Sequence, residues 1–599
     1  MTETFFGSVV RQRIILFVII GFSFVVSINL FKMQILENPT YEKKSEENSI
    51  KKIVRYAPRG VFYDRNGEVL VSNKPSFTLQ ITPSQYKPNL TSMLENVMQE
   101  DSGYIADVLN KYKGFASNRP IRIKRDIDFQ TLAWYEENSE NLSGVDYVIE
   151  TQRDYSYGVI GAHIFGYTKE ITSKELAQKK EFYDLGDYIG SKGLEKTYEE
   201  YLRGSKGYNL VLVDSRQRII SRYLSGKEDI SPIKGKDLVL TLDLPTQQKA
   251  EELFLGKKGA VVAIEPSTGE IIAFTSSPSF DLNSFASVTS GSTWNDLVND
   301  PDKPLFNRAT MSIYPPGSTI KMLEALIGLE ENIIDKDYSV NCQGGYRFGD
   351  RFFKCTHVHG TVDMERSIEK SCNTYYYKLM LEIGLEKWAE YMRKFGFGSK
   401  TEVDISEESA GLVPDTEYYN RVYGPRGWTR GFLVSLGIGQ GELSATPIQL
   451  AQYVSLLANS GETYKPHFVK GYINDDGELV KFPFEKIKVD IKKENFEIVR
   501  KGMYDVVNES GTATWIKQQD VVIAGKTGTS QNPHGKDHAL FVGFAPYDNP
   551  KIAVAVFVEN VGFGSTHAAP IARDLIRSYL RLDKQKEDKI ETNIAGINN

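Results

Sequence analysis

The chain has 599 residues, with 72 lysines and arginines against 78 aspartates and glutamates, for a formal charge of -6. That balance supplies no basic face for nucleic acid, and three cysteines in so long a chain do not make a disulfide framework. With 41% apolar residues, the length allows several domains with sizeable cores.

Near the amino terminus, Ile14 to Phe31 is an apolar run interrupted only by Gly21, Ser23, Ser27 and Asn29. It is close to the length that crosses a bilayer as a helix. Arg11 and Arg13 precede it, so the positive-inside rule puts residues 1–13 in the cytoplasm, although Lys32, Lys43 and Lys44 weaken the asymmetry. A cleaved signal peptide is the rival reading, with Val25-Val26-Ser27 as its site. Ile28 to Phe31 prolongs the apolar run beyond that site. The expectation is an uncleaved helix over 14–31 in the cytoplasmic membrane, with the remainder outside the cytoplasm.

Residues 32–52 are polar and suit a stalk. From Val54 to about Gly226 the chain alternates short β-like runs, such as Phe77 to Ile81, with turns; Asp64-Arg65-Asn66-Gly67 is a hairpin signal. This predicts an elongated, mostly β domain over 32–230. A subdomain at about 85–145 carries no readable motif. A second domain is expected over 231–580. Ala260 to Ile264 reads as a buried strand, Glu265 to Gly269 as a turn and Glu270 to Thr275 as its return. Val521 to Ala524, Leu540 to Phe544 and Ile552 to Val558 read as three more strands, with helices such as Ile320 to Leu329 and Ile448 to Leu457 between. Strands from both ends of a domain with helices between them predict an α+β fold, an antiparallel sheet flanked by helices. The polar residues 581–599 are expected to be disordered.

Three short motifs carry chemistry. In Tyr314-Pro315-Pro316-Gly317-Ser318-Thr319-Ile320-Lys321, two prolines and a glycine break the chain and an apolar helix is expected to start at the serine. Residues i and i+3 share a helix face, which places Lys321 one turn from Ser318. A serine hydroxyl needs an adjacent base, and a lysine buried in an apolar helix is pushed toward the neutral form a base requires. Ser371-Cys372-Asn373 offers a hydroxyl that can relay protons and an amide that can hold a substrate carbonyl. Lys526-Thr527-Gly528-Thr529, placed at the end of the Val521 to Ala524 strand, offers a cation and hydroxyls for a carboxylate, with Gly528 allowing close approach of a substrate backbone. Each motif alone is commonplace. A lone Ser-x-x-Lys is more often a helix cap beside a solvated lysine.

Together, in this order, the three are the signature of penicillin-binding proteins and serine β-lactamases. The chain resembles class B penicillin-binding proteins over nearly its whole length. Arg59-Gly60 with Asp64 to Gly67 and Asn73, then Arg153, Tyr155, Ala162-His163 and Gly166-Tyr167, then Gly190 to Glu195 with Tyr198 and Leu202-Arg203-Gly204, resemble that family's three pedestal motifs. Tyr314 to Gly317 and Gly439-Gln440-Gly441-Glu442 resemble the elongation branch, penicillin-binding protein 2, more than the division branch, penicillin-binding protein 3. The resemblance implies a peptidoglycan D,D-transpeptidase inhibited by β-lactams. Ser318, Lys321 and Ser371 would be catalytic; Asn373, Lys526, Thr527, Gly528 and Thr529 would bind substrate. Backbone N–H groups of Ser318 and Thr529 would form the oxyanion hole. It also implies stem pentapeptides as substrate, and as partners a RodA-like glycosyltransferase of the SEDS family and other proteins of the elongation machinery.

Cys342, Cys355 and Cys372 fall close together, with His357 and His359 in the same stretch. Three thiolates and an imidazole make a closed structural zinc set. Zinc near this place in some penicillin-binding protein 2 members points to His359 rather than His357. The expected ligands are therefore Cys342, Cys355, His359 and Cys372, and catalysis itself needs no cofactor. A Cys342–Cys355 disulfide with a free Cys372 is the alternative in an oxidising compartment. His163, His467, His534, His538 and His567 have no visible metal partners and read as structural. Two other functions share the motifs: a β-lactam hydrolase or sensor, against which the long amino-terminal domain and single span argue, and a scaffold that mainly activates its polymerase.

Overall fold

The computed structural model describes residues 9–36, 49–113, 119–214 and 219–583. The amino-terminal run is a helix, Val9–Phe31, whose apolar side chains are exposed. Its length and composition suffice to cross a membrane. It begins before the expected Ile14, so Arg11 and Arg13 lie in its first turns. Arginine and glutamine are good helix formers and extend the apolar run backwards. The polar Asn29 is accommodated because its Nδ2 donates to Val25 O at 3.0 Å, one turn back. Most of the expected stalk, and the carboxy-terminal tail from residue 584, lie outside the described residues.

The Asn66-Gly67 signal closes a hairpin between Phe62–Tyr63 and Val69–Ile81. Asp64 Oδ1 accepts from the backbone N–H groups of Asn66 and Glu68, at 2.7 and 2.9 Å, and this bridge holds the turn. Val69–Ile81 runs on to pair with Val145–Asp154, from Ser72 opposite Asp154 to Ile81 opposite Val145. The far end of that ladder carries a core of its own, with Leu79, Ile81, Leu94, Ile105 and Tyr135 buried together. The same sheet also takes in strands from beyond residue 231. Leu238–Leu240 pairs parallel to Phe62–Tyr63 and antiparallel to Val469–Ile473, which pairs with Leu479–Lys481. Segments from the second half of the chain thus complete the first sheet.

The second sheet has the order Ile271–Ser277, Gly259–Ile264, Ile552–Val558, His538–Ala545, Ala524–Ser530, and every pairing is antiparallel. All residues of Ile552–Val558 are buried, so both faces are covered. The covering helices include Leu244–Leu253, Pro447–Ala458 and Gly564–Tyr579. One expectation needs correction here. The strand read as Val521 to Ala524 is in fact Ala524–Ser530, so the Lys-Thr-Gly-Thr motif lies within the strand and not beyond its end. Glycine and lysine are poor strand formers. Pairing of every residue of the strand with His538 to Phe544, Thr529 opposite Ala539, holds them extended all the same.

Candidate active site

Ser318 sits on a single 3₁₀ turn, Gly317–Ile320, which leads into the α-helix Lys321–Glu330. The α-helix therefore starts after the serine, and not at it. Gly317 shows why: its φ is 58°, and its N–H donates to Gly439 O at 2.8 Å. A Cβ there would lie 2.8 Å from Thr529 O, so only glycine lets the serine turn approach the Ala524–Ser530 strand this closely. That strand is the edge of its sheet. Ser318 and Thr529, on the two sides of this contact, are both half-buried.

Lys321 is fully buried. Its Nζ donates to Asn373 Oδ1 at 2.7 Å, Ser371 O at 2.9 Å and Ser371 Oγ at 3.3 Å. Burial lowers its pKa to about 8, against the opposing pull of Cys355, Cys372 and Glu324. Lys526 is also fully buried, and its Nζ donates to Ser371 Oγ at 2.8 Å and to Thr527 O at 3.1 Å. Burial first, and the neighbouring Lys321 second, push its pKa well below that of a free lysine. Two amines thus converge on one hydroxyl. Ser371 presents that hydroxyl from a left-handed backbone, φ 55°, a conformation that costs a non-glycine residue about 1 kcal/mol or more.

The structure brings the three motifs together through the bonds of Lys321 and Lys526 to Ser371 and Asn373. Thr527 Oγ1 pairs with Thr512 Oγ1 at 2.7 Å, and Thr529 O accepts from Gln440 Nε2 at 3.3 Å. Among the described residues, the buried Lys526 amine hydrogen-bonds to Ser371 and Thr527. Gly528 serves the protein's own packing, since a Cβ there would lie 2.8 Å from Thr319 Cγ2 and 3.0 Å from Leu540 Cβ. Thr512 carried no sequence signal, because it stands in a loop with no motif of its own.

Beside these motifs, ligand atoms of Cys342, Cys355, His359 and Cys372 all lie within 4.8 Å of one another. His359 Nδ1 is 3.6 Å from Cys342 Sγ and 3.5 Å from Cys355 Sγ. His357 meets the cluster through its backbone, with its carbonyl oxygen 3.6 Å from Cys342 Sγ and a backbone hydrogen bond to Cys355. All three cysteines are free. Cys355 Sγ accepts from Asn373 N at 3.2 Å, and the hydrogen bond from Cys372, with further backbone N–H groups, draws its pKa down while that of Cys372 is pushed up. Tetrahedral zinc with bonds of about 2.3 Å to sulfur and 2.0 Å to nitrogen spaces its ligands by roughly 3.5–3.8 Å, and the sulfur–nitrogen distances here match.

Around the first sheet, the pedestal-like motifs form one buried network. Arg153 donates to Glu195 Oε1 at 2.6 Å, Gly60 O at 2.7 Å and Asn73 Oδ1 at 3.1 Å. Arg59 reaches Glu195 and Glu199. His163 Nε2 bonds Pro304 O at 2.9 Å, which ties this domain to the second.

Residues 54–240 match the family model of the penicillin-binding protein dimerisation domain, and 259–577 that of the penicillin-binding protein transpeptidase domain. The peptidoglycan D,D-transpeptidase MrdA of Acinetobacter baumannii is 36% identical over 92% of this chain and 85% of its own length. The penicillin-binding protein PBP2 of Helicobacter pylori, solved in complex with MreC, superposes with a TM-score of 0.79 at 28% identity, covering 89% of this chain and 99% of that one. A chain solved within a peptidoglycan synthase complex superposes with a TM-score of 0.71 at 27% identity, covering 96% and 98%.

Proposed function

Because the chain belongs to the class B penicillin-binding proteins of the PBP2 type, we propose that it cross-links peptidoglycan stem peptides through an acyl-enzyme on Ser318. The observation that carries this reading is the meeting of Lys321 and Lys526 on the Ser371 hydroxyl, next to the serine turn.

Ser318 Oγ attacks the carbonyl of the terminal D-Ala-D-Ala bond, and its proton passes to neutral Lys321. Lys321 must first rotate from its present acceptors, Ser371 and Asn373, toward Ser318 Oγ. The oxyanion is held by the backbone N–H groups of Ser318 and Thr529. The proton then moves through Ser371 Oγ to the leaving D-Ala amine. Lys526 acts from below by polarising Ser371, and the Thr527 and Thr529 hydroxyls meet the substrate carboxylate. Gly528 keeps the strand close to the serine turn. Asn373 holds the peptide. An amine of a neighbouring stem resolves the ester, and a β-lactam, lacking a departing fragment, leaves the enzyme acylated. With purified enzyme and a stem pentapeptide, D-Ala release is expected, and Ser318→Ala should abolish it. Release that survives this substitution would overturn the assignment.

The four residues fit a structural zinc ion: their ligand atoms lie within 4.8 Å of one another, and the hydrogen bonds that Cys355 accepts favour its thiolate form. When bound, the ion would supply the charge that keeps the thiolates deprotonated and ties Cys372 to the strands before it. Cys372 stands between Ser371 and Asn373, so this staple would set both active-site side chains. The apolar helix would anchor the chain by a single pass, with its bulk outside the cytoplasm. A RodA-like polymerase and an MreC-like scaffold are the partners that fit this arrangement, the second because a PBP2 of the same fold was solved with MreC. The dimerisation domain and apolar helix favour a transpeptidase over a hydrolase or sensor of β-lactams.

A further inference from the structure

The helix Met364–Glu369 ends just before the hydroxyl that both lysines contact. Ser371 N donates to Ile368 O at 3.2 Å, and Cys372 N to Ser367 O at 2.9 Å. Two crossed bonds of this kind close a helix when the residue after its cap turns left-handed, a place most often filled by glycine. Here it is filled by Ser371, with φ 55°. The backbone that aims this hydroxyl at Lys321 and Lys526 is one that serine does not prefer alone, and its neighbours have to hold it.

The two residues before Ser371 reach across to one loop residue. Glu369 Oε1 accepts from Ser510 N at 3.2 Å and from Ser510 Oγ at 2.7 Å. Lys370 Nζ donates to Ser510 O at 2.6 Å and to Ser510 Oγ at 3.0 Å. The two side chains also pair with each other, 3.3 Å apart. Ser510 is thus gripped at its N–H, its carbonyl and its hydroxyl. The loop is fixed at its far side as well. A Cβ on Gly511 would lie 2.3 Å from Val506 Cα, so the loop is pressed onto the helix Lys493–Asn508. Thr512 Oγ1 then meets Thr527 Oγ1 at 2.7 Å, and Lys526 closes the ring by donating to Ser371 Oγ.

The proton transfers described above use neither Glu369 nor Lys370. A lone ion pair near the surface contributes little. Here four hydrogen bonds with a charged partner converge on Ser510, and they do so next to the strained turn. We propose that Glu369 and Lys370 are positioning residues for the transpeptidation: by clasping Ser510 they hold Ser371 in its left-handed backbone, with its hydroxyl between the two amines. The inference rests on the acyl-enzyme reading above. With the clasp open, the turn relaxes and the hydroxyl leaves the path by which the proton reaches the departing amine. The substrate carboxylate still meets Thr527 and Thr529, so turnover falls and affinity does not.

The test uses the full-length enzyme, with a stem pentapeptide to read D-Ala release and with penicillin to read acylation by mass spectrometry. Glu369→Ala and Lys370→Ala should each lower kcat about tenfold, the worth of one charge-assisted hydrogen bond, and leave KM within about twofold. Glu369→Gln and Lys370→Arg keep the acceptor and the donor and should recover most of the rate. Both alanine variants should unfold within a few degrees of the wild type, because neither side chain is in the core. In a Ser371→Ala background, Lys370→Ala should slow penicillin acylation by less than about twofold, since no hydroxyl remains to be aimed. The full loss in that background too, or a loss that Glu369→Gln and Lys370→Arg do not recover, overturns the clasp, which would then be ordinary packing. Alanine variants with the wild-type kcat overturn it as well. A wild type that releases no D-Ala and takes no penicillin overturns the clasp and the transpeptidase reading together.

Discussion

Lys321 can take the Ser318 proton only as a neutral amine, and burial, which lowers its pKa to about 8, makes that form accessible near neutrality. The sign is fixed: raising the pH deprotonates Lys321, so penicillin acylation should climb about tenfold per pH unit below that value and level off above it. Lys321→Ala should lower the rate by roughly 10²–10⁴ and flatten this limb. A pH–rate profile by stopped-flow or mass spectrometry reads both. The three motifs and the cluster of Cys342, Cys355, His359 and Cys372 could be picked out as residues, because each groups reactive side chains in a short spacing. What Lys526 does could not be. The motif offers its lysine to a substrate carboxylate, and only the fold shows that amine buried against Ser371.

Among the elements, the serine turn and the Ala524–Ser530 strand are held together by two absent side chains, at Gly317 and Gly528. Gly528→Ala should push Thr319 away, costing about 1–3 kcal/mol of stability as overpacking does, and slowing acylation. Thr319→Ser removes the methyl that is struck and keeps the hydroxyl that donates to Pro316 O at 2.7 Å. In the double variant it should recover much of both losses, by thermal unfolding and by acylation rate. No recovery would mean that the glycine acts elsewhere. The metal loop gives a second test. Stripping metal with a strong chelator should lower the unfolding temperature of the wild type by several degrees and leave that of Cys342→Ser unchanged; equal curves and a metal content near zero would remove zinc from the account. Strand Ile552–Val558 could be read off the sequence, since an unbroken apolar run has one outcome in a buried sheet. The motif strand could not, because its extended state comes from its neighbour and not from its own residues.

Over the whole molecule, the sheet that joins Phe62–Tyr63 to Leu238–Leu240 and Val469–Ile473 makes pedestal and catalytic domain one continuous body. The motifs of the pedestal were visible in the sequence, but their partners were not. Arg153 and Glu195 stand 42 residues apart, and Arg59 and Glu195 stand 136 apart, distances at which no local pattern carries pairing information. His163, wedged against Pro304, belongs to this scale. Burial lowers its pKa to about 4. The unfolded chain therefore binds the extra proton between about pH 4 and 6.5, so the stability His163 lends is complete above 6.5 and is lost as the pH falls through 4. The shift corresponds to about 3 kcal/mol. His163→Gln should flatten the pH dependence of the unfolding temperature across that window, and an unchanged slope would place the acid sensitivity elsewhere.

The most direct measurement is intact-protein mass spectrometry of the purified enzyme after brief exposure to penicillin, followed by peptide mapping. The account predicts one persistent adduct, on Ser318, and none in Ser318→Ala. An adduct on another residue, or hydrolysed drug with an unmodified protein, would contradict it.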